Sequence, residues 1–360
     1  MDEFLEDLKS GEIRVRDRWQ FELKSDFYPR KSLLENLYTQ EFYFFLPNSL
    51  QINQDTLPKS DFYRNLTNFI RYKTPSLTLK DLADPSCGDS PFHRIPPLLD
   101  NPSNKKRIET ELKLLGNIFR SALREQVAVI LRAPEPPEDA ILTVCQEVIA
   151  VRQRFNELSQ KMENERLTTS YVDEFISNTI DYYLTGLLFE LRKDDKKLSV
   201  KADDAICHLI LDEKHRISQK RTFRGTTDEI LYRSGLLKKY IMDALSLPVN
   251  RASVQERYGG LIASFAAGIA MLAYVLLFIW QGSIFVINSL PFILLTVGAY
   301  ILKDRLKEWL KGLSYQRAFY WFADYETEVQ SPDERQILGV LKEYCTFIQP
   351  EDLTEEIKEM

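Results

Sequence analysis

The pattern of apolar and charged positions sets one stretch apart, residues 259–302, which contains no Asp, Glu, Lys, Arg or His. A membrane-spanning helix needs about 20 apolar residues, and this run has room for two, separated by the polar sequence QGS at 281–283. We therefore predict two transmembrane helices, 260–280 and 284–302, joined by a tight turn. The alternative is a buried helical hairpin of a soluble domain, but buried core helices rarely lack charges over so many residues.

Basic residues flank the apolar run on both sides and are missing from its turn. They are Arg251 and Arg257 before the first predicted span and Lys303, Arg305, Lys307 and Lys311 after the second. Because cytoplasmic loops carry an excess of Lys and Arg, we predict a multi-pass protein of the inner (cell) membrane with both termini in the cytoplasm. The same six residues are candidates for contact with anionic lipid headgroups, at about 1 kcal/mol each.

Five residues are predicted to pack the membrane helices together. Gly260, Ser264 and Gly268 recur at every fourth position of the first span, and small residues let helix backbones approach closely in lipid. We expect this stripe to pack against the second span, with another copy of the chain as the alternative partner. In the second span, Asn288 needs a polar partner, and Pro291 is expected to kink the helix.

The N-terminal part of the chain carries the strongest strand pattern. Apolar and charged residues alternate over 13–24, which predicts a half-buried strand. A second strand is predicted at 38–46, so that the two form a β-hairpin, and a short helix at 61–72 follows. Residues 1–73 are thus predicted to be a small α+β module, and the Pro-rich stretch 74–104 to be a linker.

Residues 105–250 show apolar positions every three or four residues, the period of an amphipathic helix. Helices are predicted at about 105–131, 138–162, 170–192, 200–220 and 226–247. The second of these carries a heptad pattern, for which packing inside the bundle and a homodimeric coiled coil are both open. This region is therefore predicted to be a cytosolic helical bundle.

The residues after the second span, 303–360, are also predicted to be cytosolic and helical. An amphipathic helix with a basic edge continues from the span, and lies at the headgroup layer or against the body. A last helix is predicted at 333–347, and the charged, helix-prone end leads us to expect that the chain continues past residue 360. The predicted fold class is mainly α: a helical bundle, a small N-terminal α+β module and a two-helix transmembrane hairpin.

Composition narrows the classes of partner. The chain has 47 Lys and Arg against 53 Asp and Glu, a formal net charge of -6, so nucleic acid is not expected as a partner. The four cysteines are widely spaced, which is typical of free thiols in a reducing compartment. The N-terminus lacks the apolar segment of a signal peptide, so the first span is expected to direct insertion.

Few features of the sequence resemble a catalytic or metal-binding site. His208 and His215 are seven residues apart on one predicted helix face, without the spacing of a zinc-protease helix. His93 lies in the linker near Cys87, with no further support for a Cys-His nucleophile. The sequence has no phosphate-binding loop, dinucleotide fingerprint or nucleophile elbow. We therefore predict no catalytic, cofactor or metal residue, and an enzyme is disfavoured without being excluded.

The motif KDRLKE at 303–308 follows the second predicted span directly. With this motif, the segment around the hairpin resembles the membrane hairpin of a group of uncharacterised bacterial proteins, in which a helical cytosolic region precedes two spans and a KDR-I/L-KE helix. The resemblance is confined to the hairpin and its flanks. It implies a bacterial origin and an extension past residue 360, and it implies no activity.

These patterns favour a membrane-anchored, cytosol-facing sensor or scaffold that acts through protein–protein contacts. Its expected partners are the lipid bilayer, anionic headgroups, an unidentified protein and, as an alternative, a second copy of the chain. A different class is a membrane-permeabilising effector, of the toxin or bacterial immunity type, that is triggered by its cytosolic body. An enzyme with an unrecognised site is a third.

Overall fold

The computed structural model describes residues 13–15, 20–30, 35–134, 138–162, 165–193, 199–220, 226–286, 289–321, 323–332 and 336–359. The protein is mainly α, as the sequence predicts, with a small three-stranded antiparallel sheet. The chain divides into two compact units that are not sequential: Met1–Phe42 with Arg71–Ser246, and Tyr43–Ile70 with Leu247–Met360. Residues 43–70 therefore belong with the C-terminal part of the chain.

In chain order the strands are β1 (Ile13–Val15), β2 (Phe21–Leu23), β3 (Val249–Ser253), β4 (Tyr325–Gln330) and β5 (Ile337–Glu343). The helices are α1 (Lys59–Asn65), α2 (Leu79–Ala83), α3 (Pro91–Arg94), α4 (Lys105–Arg132), α5 (Glu138–Gln160), α6 (Arg166–Lys193), α7 (Val200–Lys220), α8 (Thr227–Met242), α9 (Val254–Ile284), α10 (Leu290–Trp321) and α11 (Glu355–Lys358). Short 3-10 turns separate several of them.

The first unit is a helical bundle built from α4 to α8. The apolar stripe of α4 is buried along its whole length, and the heptad positions of α5 face the same core. They are Ile141, Val144, Val148, Val151, Phe155 and Leu158. Since burying each such side chain is worth about 1.5–3 kcal/mol, the heptad pattern is explained by packing inside the bundle.

The stretch 74–104, predicted as a linker, is part of that core. A capping box between Thr78 and Asp81 starts α2, and Pro91 opens α3. The side chains of Leu79, Leu82 and Ile95 are fully buried against the bundle helices. The prolines do prevent a long helix, but apolar residues between them dock onto the bundle, so the linker prediction is wrong.

The N-terminal prediction is also corrected. The alternating stretch 13–24 forms two short strands, β1 and β2, which pair antiparallel with Ile13 opposite Leu23. The predicted second strand at 38–46 contains no strand residue, and aromatic side chains such as Phe45 are exposed there. Aromatic composition favours strands only where a neighbouring strand completes the hydrogen bonds.

The second unit contains the sheet, in the order β3-β4-β5, and the helices α9 and α10. The helix predicted at 61–72 is the shorter α1, because Leu66 adopts an extended backbone and residues 67–70, of sequence TNFI, have lower helix propensity. The helix predicted at 333–347 is wrong: 337–343 is the strand β5, and 333–335 lies outside the described residues. A short apolar run fits both periods, and here pairing with β4 decides.

Candidate functional site

One helix in the described part of the chain, Arg257–Ile284 within α9, is long and apolar enough to cross a membrane. Its large apolar side chains are mostly exposed, with Leu261 at 67% and Phe265 at 73%. Proteins in water seldom show an apolar surface of this extent, and such surfaces mark membrane or protein contacts. The candidate site is therefore the hairpin of α9 and α10 together with the sheet at its base.

The tip of the hairpin differs from the predicted turn at 281–283. Helix α9 continues to Ile284, and Gln281 is fully buried between the helices. Its Nε2 donates to Thr296 Oγ1 of α10 at 2.8 Å. Pro291 is the second residue of α10, where the missing N–H costs no helical hydrogen bond, so the predicted kink inside the helix is wrong. Asn288 lies outside the described residues.

The two helices pack through alanines and aromatic rings. Ala266 and Ala270 of α9 are buried, and Tyr274 meets Tyr300 edge to face at 6.4 Å between ring centroids. Phe278 contacts Phe292 in the same way at 5.8 Å.

The predicted small-residue stripe is not part of this contact. A Cβ at Gly260 or Gly268 would meet nothing within 4 Å. Ser264 is exposed, and its hydroxyl donates to the carbonyl oxygen of Gly260, one turn earlier in the same helix, at 2.8 Å. The structure thus does not pair the stripe with the second helix, and contact with another copy stays a prediction.

The base of the hairpin is closed by the sheet. Strand β3 runs directly into α9, α10 is followed by β4, and Ser253 pairs with Tyr325. The backbone N–H of Val254 also donates to the carbonyl oxygen of Asp324 at 3.2 Å. The first residues of α9 and the residues after α10 are therefore held side by side, and the chain leaves and returns at one place.

Asp324 is the centre of a polar network at this base. Its carboxylate accepts hydrogen bonds from Lys59 Nζ at 2.7 Å, from the Tyr63 hydroxyl at 3.0 Å and from the Cys345 backbone N–H at 2.8 Å. Burial and the nearby Asp324 charge raise the pKa of Tyr63, so it stays a neutral donor. Burial likewise raises the pKa of the Cys345 thiol. The segment around α1 is thereby tied to the hairpin base.

The two basic residues before α9, predicted to contact headgroups, are engaged within the protein. Arg251 Nε donates to Glu343 Oε2 at 3.1 Å, and its Nη1 donates to the Leu66 carbonyl oxygen at 3.0 Å. Arg257 Nη1 lies 2.9 Å from a carboxylate oxygen of Glu328. Both guanidinium groups stabilise the base, and are therefore less available to lipid than the sequence suggests.

The basic residues of α10 differ in their surroundings. The Lys303 ammonium lies 3.9 Å from the centroid of the Tyr300 ring and 3.4 Å from Asp304. Arg305 and Lys307 are exposed, and the side chain of Lys311 is not described. The structure therefore leaves Arg305 and Lys307 open to contact from outside.

The charged part of α10 does not lie beyond the apolar part of α9. Lys303 approaches the Tyr274 ring, at 5.9 Å from its centroid, and the helices are antiparallel. The sequence 304–308 is therefore level with the middle of α9. The apolar part of α10, residues 290–302, would extend about 20 Å, against about 30 Å for a hydrocarbon core. A second membrane-length helix is accordingly not seen in the described residues.

A second cluster, which sequence patterns missed, lies in the bundle. Arg152 of α5 is buried, and its Nη2 lies 2.5 Å from Asp173 Oδ1 and 3.3 Å from Glu213 Oε1. Arg216 binds the same two carboxylates, and Ser177 donates to Glu213 at 2.7 Å. The two arginines hold the pKa of Asp173 at about 2 against burial. The cluster is neutral as a whole and joins α5, α6 and α7.

The histidines give no metal site. His215 Nε2 lies 2.8 Å from the side-chain amide of its neighbour Gln219. No group of three or more His, Cys, Asp or Glu side chains that could hold a metal ion occurs among the residues the structure describes. Cys87, Cys145, Cys207 and Cys345 are free thiols.

Comparison of the chain with protein-family models, with characterised proteins and with solved structures gives no match. The features of the chain that bear on its function are therefore the hairpin, its base and the bundle.

Proposed function

We propose that the protein is a membrane-anchored, cytosol-facing sensor or scaffold, in which α9 and α10 form a hairpin that crosses the inner membrane twice. The observation that carries the proposal is the exposed apolar surface of α9 in a hairpin closed at its base by one sheet. Because Ser253 and Tyr325 are paired, a chain that crosses by α9 has to return by α10. Arg251 and Arg257, which lie at the base itself, favour a cytoplasmic location for it.

Protein–protein contact is supported by the surface of the bundle. Helix α8 exposes Leu231 and Tyr232, at 66% and 71%, and clustered exposed apolar side chains are typical of contact sites. A scaffold predicts that a partner captured with the full chain from detergent-solubilised membranes is lost when Leu231→Glu is introduced. Val129→Glu in α4, whose side chain is also exposed, is the matched control. Equal capture of the partner by the parent chain, Leu231→Glu and Val129→Glu would contradict the scaffold proposal.

The two-pass topology is tested by labelling single cysteines in a chain whose four native cysteines are replaced. Ser289→Cys at the tip should react with a membrane-impermeant maleimide on intact spheroplasts. Ser331→Cys, which follows β4, should react only after the membrane is permeabilised. Carbonate extraction should leave the protein in the membrane pellet. Reaction of both positions only after permeabilisation would overturn the two-pass topology, and release by carbonate would overturn membrane anchoring.

A second candidate, the permeabilising effector, is favoured by one observation. In a two-pass hairpin, the charges of α10 at 304–308 lie at the depth of the middle of α9, where each charge facing lipid costs about 2.5–3.5 kcal/mol on insertion scales. A water-filled path would remove that cost. Purified protein reconstituted in anionic vesicles should then release a trapped dye, whereas an anchored scaffold should release no dye.

A further inference from the structure

The middle of the hairpin, at the depth of residues 304–308, has two chemically opposite sides. On α10, the side chains of Asp304, Arg305 and Glu308 are exposed, at 56%, 80% and 74%. On α9, at the same depth, the exposed side chains are apolar, among them Phe265 and Leu272. If the hairpin is in the bilayer, as proposed above, lipid suits the α9 side and does not suit the charged side.

The charges at 303–308 of α10 are only partly neutralised inside the protomer. Lys303 is covered by the Tyr300 ring and lies beside Asp304. Arg305 and Glu308 approach each other at 3.7 Å, but both remain largely exposed. In hydrocarbon, ionised side chains are found facing protein or water and paired with one another. A surface on which charges are paired but uncovered therefore needs a neighbour that is not lipid.

We propose that the charged side of α10, defined by Asp304, Arg305, Lys307 and Glu308, is the surface on which a second copy of this chain docks. The inference rests on the proposed membrane insertion. Copies with the same topology present the same stretch at the same depth. The stretch carries two acidic and two basic side chains within about one and a half turns, so it is complementary to itself.

The charge pattern also favours docking of the second copy through α10 over docking through α9. Interhelical pairs of acidic and basic residues on parallel helices set partner choice and orientation, and a parallel contact between two α10 helices places such residues opposite each other. The contact covers the charges and leaves the apolar side of α9 to lipid. The small-residue stripe with Gly268, which lies on α9, would instead bring the copies together through the other side of the hairpin.

The test is disulfide cross-linking in native membranes of single-cysteine variants of the full chain, with the four native cysteines replaced. Ile301→Cys reports the charged side, because residue 301 lies seven positions before Glu308 and so on the same side of the helix. Leu272→Cys is the matched control on the apolar side of α9, and both side chains are exposed. We expect a cross-linked dimer from Ile301→Cys and none from Leu272→Cys.

Charge variants in the Ile301→Cys background test the complementarity. Arg305→Glu should lower the cross-linked fraction about tenfold, because like charges then face each other. The exchange Arg305→Glu with Glu308→Arg restores the pattern and should restore the cross-link. An unchanged fraction in Arg305→Glu, or no restoration in the exchange, would overturn the charge-based contact.

Carbonate extraction of the same samples separates this inference from the proposed function. Protein that stays in the membrane pellet but does not cross-link at 301, or cross-links only at 272, overturns the docking surface and leaves membrane anchoring intact. Protein released by carbonate overturns both. Folding of each variant is checked by the same extraction together with resistance of the bundle to limited proteolysis.

Discussion

The Tyr63 hydroxyl donates a hydrogen bond to Asp324 at 3.0 Å, across 261 positions of sequence. The same carboxylate accepts from Lys59 and from the backbone of Cys345, and Asp324 itself pairs through its backbone with Val254 and Glu343. One residue thus joins the segment around α1 to the first residue of α9 and to the end of β5. The base of the hairpin is therefore a fixed structure, not a pair of loops.

Substitutions of Asp324 and of its partners should destabilise the second unit by different amounts. Tyr63→Phe loses one hydrogen bond to a group that keeps other donors, so it should cost about 1 kcal/mol. Asp324→Ala leaves the Tyr63 hydroxyl and the Cys345 N–H without an acceptor and should cost about 2 kcal/mol or more. Unfolding by urea in mild detergent, followed by tryptophan fluorescence, measures both.

Lys59→Ala is the control for this series. The Lys59 side chain is half exposed, and exposed ion pairs contribute only about 0–1 kcal/mol. A larger loss for Lys59→Ala than for Asp324→Ala would show that the ion pair, not the buried hydrogen bonds, holds the base together.

Substitution in the buried charge cluster of the bundle should lower stability by more than substitution at the hairpin base. Arg152→Ala leaves one negative charge of the buried Asp173 and Glu213 pair uncompensated. It should therefore destabilise the bundle by about 3–5 kcal/mol. Arg192→Ala removes an exposed pair with Asp203 and should cost less than about 1 kcal/mol. Denaturant midpoints of the two variants, compared with the parent chain, check the contrast, and equal midpoints would rule out a stabilising role for Arg152.

The same cluster sets an expected pH dependence. The pKa of Asp173 is about 2 in the folded protein, below its ordinary value of 3.8, and the pKa of Glu213 is also lowered. A carboxyl group with a depressed folded pKa contributes stability that is present above its unfolded pKa and is lost as the pH falls toward the folded value. For Asp173 this contribution is about 2 kcal/mol.

Stability should therefore fall between about pH 4 and pH 2 and change little from this source at higher pH. Urea midpoints at a series of pH values measure the slope, and Asp173→Asn should flatten it. A slope that is the same in Asp173→Asn would assign the acid sensitivity to other carboxylates.

Much of the architecture was accessible from the sequence because its elements are long and periodic. The apolar stripe of α4 and the heptad of α5 predicted buried faces that the bundle contains. The start of α8, predicted at residue 226, carries a capping box between Thr226 and Glu229. In each case the signal is local, so one segment of the chain carries it.

The parts that could not be predicted depend on distant partners. No local pattern marks Asp324, because its partner Tyr63 is in a different part of the sequence. Strand β5 was mistaken for a helix because its short apolar run becomes a strand only by pairing with β4. Arg152 is one charged position among many in a helical sequence, and only the approach of α6 and α7 makes it part of a buried ion pair.

Two glycines on different helices are expected to respond oppositely to substitution. A Cβ at Gly116 of α4 would lie 3.1 Å from Ile241 and 3.3 Å from Phe175, so Gly116→Val overpacks the core and should cost about 1–3 kcal/mol. At Gly235 of α8 a Cβ meets nothing within 4 Å, and Gly235→Ala should stabilise by about 0.4–1 kcal/mol. Thermal unfolding of the two variants checks the signs, and stabilisation by Gly116→Val would contradict the packing described for α4.

The bond between Gln281 and Thr296 is the polar contact by which the tip of the hairpin is expected to be held together. Gln281 Nε2 donates to Thr296 Oγ1 at 2.8 Å, and Thr296 Oγ1 donates in turn to the Phe292 carbonyl oxygen. Hydrogen bonds between membrane helices average about 0.6 kcal/mol and reach about 1–2 kcal/mol. Thr296→Val should therefore weaken the hairpin modestly and leave the Gln281 amide unpaired.

A double-mutant cycle isolates the bond. Gln281→Leu and Thr296→Val should each lower the stability of the hairpin, while the double variant should lose less than their sum by about 0.5–1.5 kcal/mol. The free energy of unfolding in mixed detergent micelles is measured for the parent chain, the two single variants and the double variant. Thr143→Val, in the exposed part of α5, is the control. Strict additivity would mean that Gln281 is held by van der Waals packing between α9 and α10, because each substitution would then act without the other side chain.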